Sequence, residues 1–182
     1  IPFTILKNGT SFEYRAFQKP VQKKEGTLVY GYDWCGGCRR WATTGKLATI
    51  KQHYRNKYNN DIIIEYVGLA ADEIGRIEKF RRIRSQSIKI YPLAEWGMSE
   101  QACLDYCYSC GWNWQENGHE LYDILDRVSC WCCTNKNQKE IQNIIKYLPE
   151  YWDLIKKYEI RCGIPYKGKG CRFYEKAILS EQ

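Results

Sequence analysis

Apolar residues in this chain fall into two kinds of run, short β-branched stretches and three- to four-residue helical steps, and the two kinds alternate. Phe3 to Leu6 is β-branched and apolar and predicts a strand, ended by the turn residues Lys7-Asn8-Gly9. Ser11 to Phe17 scatters aromatics among polar residues, and Gln18 to Gly26 reads as an exposed basic connection. Thr27 to Tyr30 is a second short strand. From Trp41 the period becomes helical, with Leu47, Ile50 and Tyr54 on one stripe, until Asn59-Asn60. Asp61 to Val67 follows as a near-continuous apolar run, the pattern of a strand covered on both faces in a parallel sheet. A strand, a helix and a buried strand in that order predict a β-α-β crossover over residues 27–67, and hence an α/β fold.

The second half is helical in its periodicity. Ile74, Ile77 and Phe80 share a stripe; Ser99 is placed to cap a helix running through Tyr108 and stopping at Gly111. Trp112 to Gly118 reads as a loop and His119 to Asp126 as a short helix. Asn137 to Leu148 is amphipathic, with Ile141, Ile144, Ile145 and Leu148 inward, and Glu150 to Tyr158 resumes after Pro149. The pattern describes one domain over 1–182, with a helical, cysteine-rich part from about 98 to 160 and a basic, glycine-rich tail at 161–182.

Composition narrows the chemistry. The formal net charge is +7, which favours nucleotides, nucleic acid or sulfate-like anions as partners and is equally the charge of an ordinary soluble surface. Seven Trp and fifteen Tyr must fill much of the core. No signal peptide is present and no apolar stretch approaches the ~18 residues of a membrane span, so a cytoplasmic protein without a membrane partner is expected. In that compartment ten closely spaced cysteines point to metal or to reduced thiols rather than to disulfides.

Two cysteine clusters dominate: Cys35-Gly-Gly-Cys38 followed by Arg39-Arg40-Trp41, and Arg127-Val-Ser-Cys130-Trp-Cys132-Cys133. Each holds two thiols at the two-residue spacing that lets both reach one tetrahedral metal or one iron–sulfur cluster. Cys35, Cys38, Cys130 and Cys133 are therefore candidate ligands for zinc or an iron–sulfur cluster, with reduced structural cysteines an equal alternative. Cys103, Cys107 and Cys110 share one helical face and are expected to be small buried side chains. Arg39, Arg40 and Lys46 cluster at a helix start, where free N–H groups and paired guanidinium bonds hold an anion, or simply a solvated helix end. Asp72, Glu73 and Arg76, just beyond the 61–67 strand, are placed to meet a ligand or one another. Neither His53 nor His119 has the spacing of a catalytic or metal-binding pair, no serine sits in a nucleophile-elbow sequence, and no catalytic residue is assigned.

Four blocks in order, Gly31-Tyr-Asp-Trp-Cys-Gly-Gly-Cys-Arg-Arg-Trp-Ala-Thr-Thr-Gly-Lys46-Leu, Gly68-Leu-Ala-Ala-Asp-Glu73 with Arg76, Tyr91-Pro-Leu-Ala-Glu-Trp-Gly97 and Arg127-Val-Ser-Cys-Trp-Cys-Cys133, resemble the phosphoadenosine phosphosulfate (PAPS) reductase-like family of the adenine nucleotide alpha-hydrolase superfamily. The resemblance covers residues 1 to about 160. It implies a doubly wound, mostly parallel sheet, incomplete on its amino-terminal side, that binds an adenine nucleotide or sulfonucleotide for sulfur-transfer or adenylation chemistry. It maps the cysteine clusters onto cluster ligands, Arg40 and Lys46 onto residues near the phosphate or sulfate, and Asp72, Glu73 and Arg76 onto the nucleotide loop. The family's Ser-Gly-Gly-Lys-Asp-Ser type phosphate loop is absent, and Cys162 in Arg161-Cys-Gly-Ile-Pro165 only faintly echoes the reductases' nucleophile. The resemblance thus implies that missing residues, a second chain or self-association completes the sheet. The contrasting expectation is a non-catalytic, metal-braced module binding nucleic acid through aromatics such as Trp112 and Trp114.

Overall fold

The computed structural model describes residues 2–36, 41–82 and 87–179. The chain is α/β and mainly helical, and it divides into two compact units, residues 1–51 with 114–182, and residues 52–113. Among the described residues no helix is long and apolar enough to cross a membrane.

The first unit begins without regular structure. Phe3 to Leu6 forms no strand: Phe3 and Ile5 lie exposed, and among the described residues no neighbouring strand gives their backbone a partner. A wide helical turn at Tyr14–Gln18 leads into β1 (Pro20–Gln22), which pairs antiparallel with β2 (Leu28–Tyr30). The basic connection is thus largely a hairpin. Its turn closes through Lys23 N–H to the Thr27 carbonyl (2.8 Å), with Gly26 at φ +88° supplying the left-handed residue. Because β2 is taken up by β1, the expected crossover across residues 27–67 does not form.

Helix α1 (Trp41–Lys57) follows, and its first turns belong to this unit. After residue 114, Asn117-Gly118, both at positive φ, turn β5 (Gln115–Glu116) back on β6 (His119–Glu120). The stretch expected as a loop is a hairpin because this dipeptide suits a tight turn. The short α5 (Leu121–Ile124) leads to α6 (Gln138–Tyr147), α7 (Pro149–Cys162) and α8 (Cys171–Leu179). Asn137 caps α6 through the Glu140 N–H while Glu140 returns a bond to the Asn137 N–H, a reciprocal capping box. Ile141, Ile144 and Leu148 face inward, as their spacing predicts, and join Trp34, Trp41, Trp152, Ile155, Tyr158 and Tyr166 in the core. Glu159 accepts the Tyr166 N–H (2.6 Å) and the Cys171 N–H (2.9 Å), so one carboxylate ties α7 to the start of α8.

The second unit holds the parallel pair. β3 (Ile63–Tyr66) runs beside β4 (Ser87–Ile90) in the register Ile64 to Ile88, with α2 (Ile74–Arg81) in the connection between them. This is the chain's β-α-β unit, one element later than the periodicity placed it. The described residues show two parallel strands and no doubly wound sheet. Leu69, Ile77 and Tyr91 form its buried cluster. Beyond the short α3 (Pro92–Glu95), Ser99 caps α4 (Glu100–Ser109) by accepting the Ala102 N–H, as expected.

Candidate functional site

Trp34 and the turns around the second cysteine cluster fix the centre of the first unit. Trp34 is buried against Tyr158 and Tyr166, and its indole N–H donates to the Ile164 carbonyl (2.8 Å). The next residue, Cys35, forms a parallel bridge with Cys133, and the Thr134 N–H donates to the Cys35 carbonyl (2.8 Å). Cys133 N–H closes a turn onto the Cys130 carbonyl (2.9 Å), and the Tyr166 hydroxyl donates to the Cys133 carbonyl (2.9 Å). Gly36 stands at φ +139° where a side chain would strike Thr134, so the bridge needs glycine there. Two cysteine-bearing segments far apart in sequence are thereby held side by side.

Burial pushes the Cys35 thiol above its ordinary pKa, and a hydrogen bond from the Ala42 backbone pulls it back. Cys130 and Cys133 lie close enough to raise it further, and Lys46 close enough to lower it. Cys35, Cys130, Cys133 and the exposed Lys46 are therefore electrostatic neighbours. Cys38, Arg39 and Arg40 lie outside the described residues. Among the described residues no three Cys, His, Asp or Glu side chains come together as a metal-holding group. Cys35, Cys130 and Cys133 are three of the four candidate thiols, and the fourth, Cys38, lies outside the described residues. Cys132 points elsewhere, into the core, where burial holds its thiol up to about 12.

Arg15 belongs to this neighbourhood, although nothing in its sequence context signals it. Its guanidinium donates to the Trp41 carbonyl (2.8 Å), sits 5.7 Å from the Trp41 ring centroid and crosses directly over Gly45. A fixed cation thus lies against the first turns of α1, over Gly45, the residue before Lys46.

In the second unit, the three acidic and basic residues after β3 satisfy their own loop. Both Asp72 carboxylate oxygens accept the Glu100 N–H at the start of α4 (3.1 and 3.2 Å). Glu73 accepts the Ala70 N–H (3.2 Å) and pairs with Arg76, whose side chain is mostly exposed. Cys103, Cys107 and Cys110 are not a buried stripe: the first two are half-buried and Cys110, at the end of α4, is exposed. The helix buries none of its residues fully, because too little of the unit packs over it. Trp112 is exposed there, while Trp114 in the first unit packs edge-on against Tyr122 and is committed to structure. Cys162, on α7, is half-buried with its thiol directed at the Glu159 and Ile164 carbonyls, and burial raises its pKa, so it rests protonated.

Comparison with protein-family models, with curated proteins and with solved structures gives no match to this chain.

Proposed function

We propose that the chain is a PAPS reductase-like protein that binds an adenine nucleotide or sulfonucleotide for sulfur-transfer or adenylation chemistry. The observation that carries this reading is the parallel bridge between Cys35 and Cys133, which gathers thiols from two of the four family-like blocks beside α1. Cys35, Cys38, Cys130 and Cys133 would hold an iron–sulfur cluster or a zinc ion. A cluster would add a redox-capable or charged centre near the anion, and zinc would brace the fold. Arg39, Arg40 and Lys46 would hold the phosphate or sulfate, with Arg15 adding a cation against the first turns of α1. Asp72 and Glu73 shape the loop beyond β3 through the bonds described above, leaving Arg76 as its exposed cation. In this reading β3 and β4 belong to a doubly wound parallel sheet completed by missing residues, a second chain or self-association, with the phosphate loop supplied by missing residues or a different chain.

Protein purified without oxygen is the test, by elemental analysis, a visible spectrum and calorimetric titration with ATP and PAPS. Bound iron or zinc lost in Cys35→Ser and Cys133→Ser, with saturable nucleotide binding lost in Arg40→Ala, is the expected result. A metal-free protein that binds neither nucleotide overturns the proposal.

A further inference from the structure

Beside the second cysteine cluster, the first unit holds a half-open cavity of about 270 Å³ lined in part by the 128–136 segment. Its walls are apolar: Leu121, Leu125, Ile144 and Leu148 from α5, the segment after it and α6, with Trp131 across from them. Four polar residues break this lining, Ser129 and Tyr151 with hydroxyls and Glu116 and Lys136 with charged groups. Glu116 carries a carboxylate, but that group is already engaged, accepting the Tyr151 hydroxyl at 2.5 Å. The other charged group is Lys136, which has no carboxylate in direct contact among the described residues.

Lys136 is only 3% exposed. Its ammonium donates one hydrogen bond among the described residues, to the Ser129 hydroxyl at 3.0 Å, and no carboxylate of those residues lies within ion-pair distance. Glu140, its electrostatic neighbour, spends its carboxylate on the Asn137 N–H. An ammonium has three donors, and burying it without a counter-charge is costly unless something anionic meets it. Burial pushes Lys136 below its ordinary pKa and the charge of Glu140 pulls it back, while Lys167 bonds the Lys136 carbonyl. The cavity therefore pairs an apolar interior with one buried lysine on its wall that has donors to spare and, among the described residues, no carboxylate in direct ion-pair contact, Glu140 being its nearest negative charge. Pockets for organic ligands are apolar with a few fixed polar groups, and this volume lies near their lower limit of roughly 300 Å³.

We propose that this cavity is a binding site for a small organic acid, its carboxylate held by Lys136 and Ser129 and its aliphatic or aromatic body between the leucine and isoleucine walls. The proposal is independent of the cysteine site and of the nucleotide reading. It makes the second cysteine cluster one side of a ligand pocket, through Ser129 and Trp131 on either side of Cys130.

Calorimetric titration of the full chain with octanoate, and with 1-octanol as its uncharged counterpart, tests it. Octanoate is expected to bind the native protein at least tenfold more tightly than octanol, and Lys136→Met to remove that difference while leaving octanol binding in place. Val128→Trp, at the partly exposed rim of the cavity, is expected to exclude both ligands even if the lysine variant fails to fold. Absence of octanoate binding, equal affinity for acid and alcohol, or unchanged octanoate binding in Lys136→Met or Val128→Trp overturns the proposal.

Discussion

At the scale of single residues, glycine and cysteine set the sharpest constraints. Gly31 stands at φ +81°, and a methyl group there would run into the Ala16 carbonyl and the Phe17 backbone. Neither obstacle is a side chain that swings aside. Gly31→Ala is therefore expected to cost about 3 kcal/mol or more, combining backbone strain with a clash in a packed region. Gly26, at φ +88° but in open space, meets only the strain, so Gly26→Ala is expected to cost about 1 kcal/mol. Urea denaturation of the two variants separates these cases. Cys132 makes the second prediction. Its folded thiol, held up to about 12 by burial, ionises from an ordinary value of 9.0 once unfolded. The folded state then keeps a proton that the unfolded state loses, so stability present below pH 9 declines as pH rises toward 12. The slope over that window is about 1.4 kcal/mol per pH unit for this thiol. Unfolding free energies measured across the window are expected to show it, and Cys132→Ala to reduce the slope by this one group's share, the other buried thiols and tyrosines keeping theirs.

At the scale of elements, what was legible in the sequence was what is local. α6 and α7 were read from apolar steps that the core then buries, and the starts of α4 and α6 from Ser99 and from the residues at Asn137. Strand pairing is not local, and β2 pairs with β1 and β3 with β4. Val29 carries no mark saying that its partner is Val21 and not a residue of β3. Asn117-Gly118 was a recoverable signal, since that dipeptide favours the turn it forms, but its strands are two residues each and too short to show alternation. At the candidate site, thiol spacing announced the cysteines, whereas Lys136 and Arg15 were invisible because their burial and contacts come from distant segments. The tie between α7 and α8 is of the same kind. Glu159 looks like one more helix-surface acid, yet it satisfies the Tyr166 and Cys171 N–H groups. Charge-assisted bonds contribute roughly 1.5–3 kcal/mol each when their loss strands a donor. Glu159→Ala is expected to destabilise the chain by about 2–4 kcal/mol in urea denaturation and to free the Cys171 amide for hydrogen exchange.

At the scale of the whole molecule, the two units differ in how much apolar surface they bury. The first closes a continuous cluster of tryptophans, tyrosines and branched aliphatics around Ile155 and Tyr166, both fully enclosed. The second buries Leu69, Ile77 and Tyr91 among its described residues, and its parallel pair turns Ile64, Tyr66 and Ile88 outward. The opposite face of that pair carries Glu65 bonded to Lys89. Parallel strands are ordinarily covered on both faces, so this sheet leaves uncovered the side that would contribute most on burial. With so small a core to offset chain entropy, the second unit is the less stable one. Amide hydrogen exchange followed by mass spectrometry, in increasing urea, is expected to show β3, α2 and β4 opening together well before α6 and α7. Addition of a partner that covers the sheet face would raise the protection of the second unit alone. Equal protection of both units in the isolated chain would show instead that they unfold as one, and that the exposed isoleucines of the sheet carry no cost in stability.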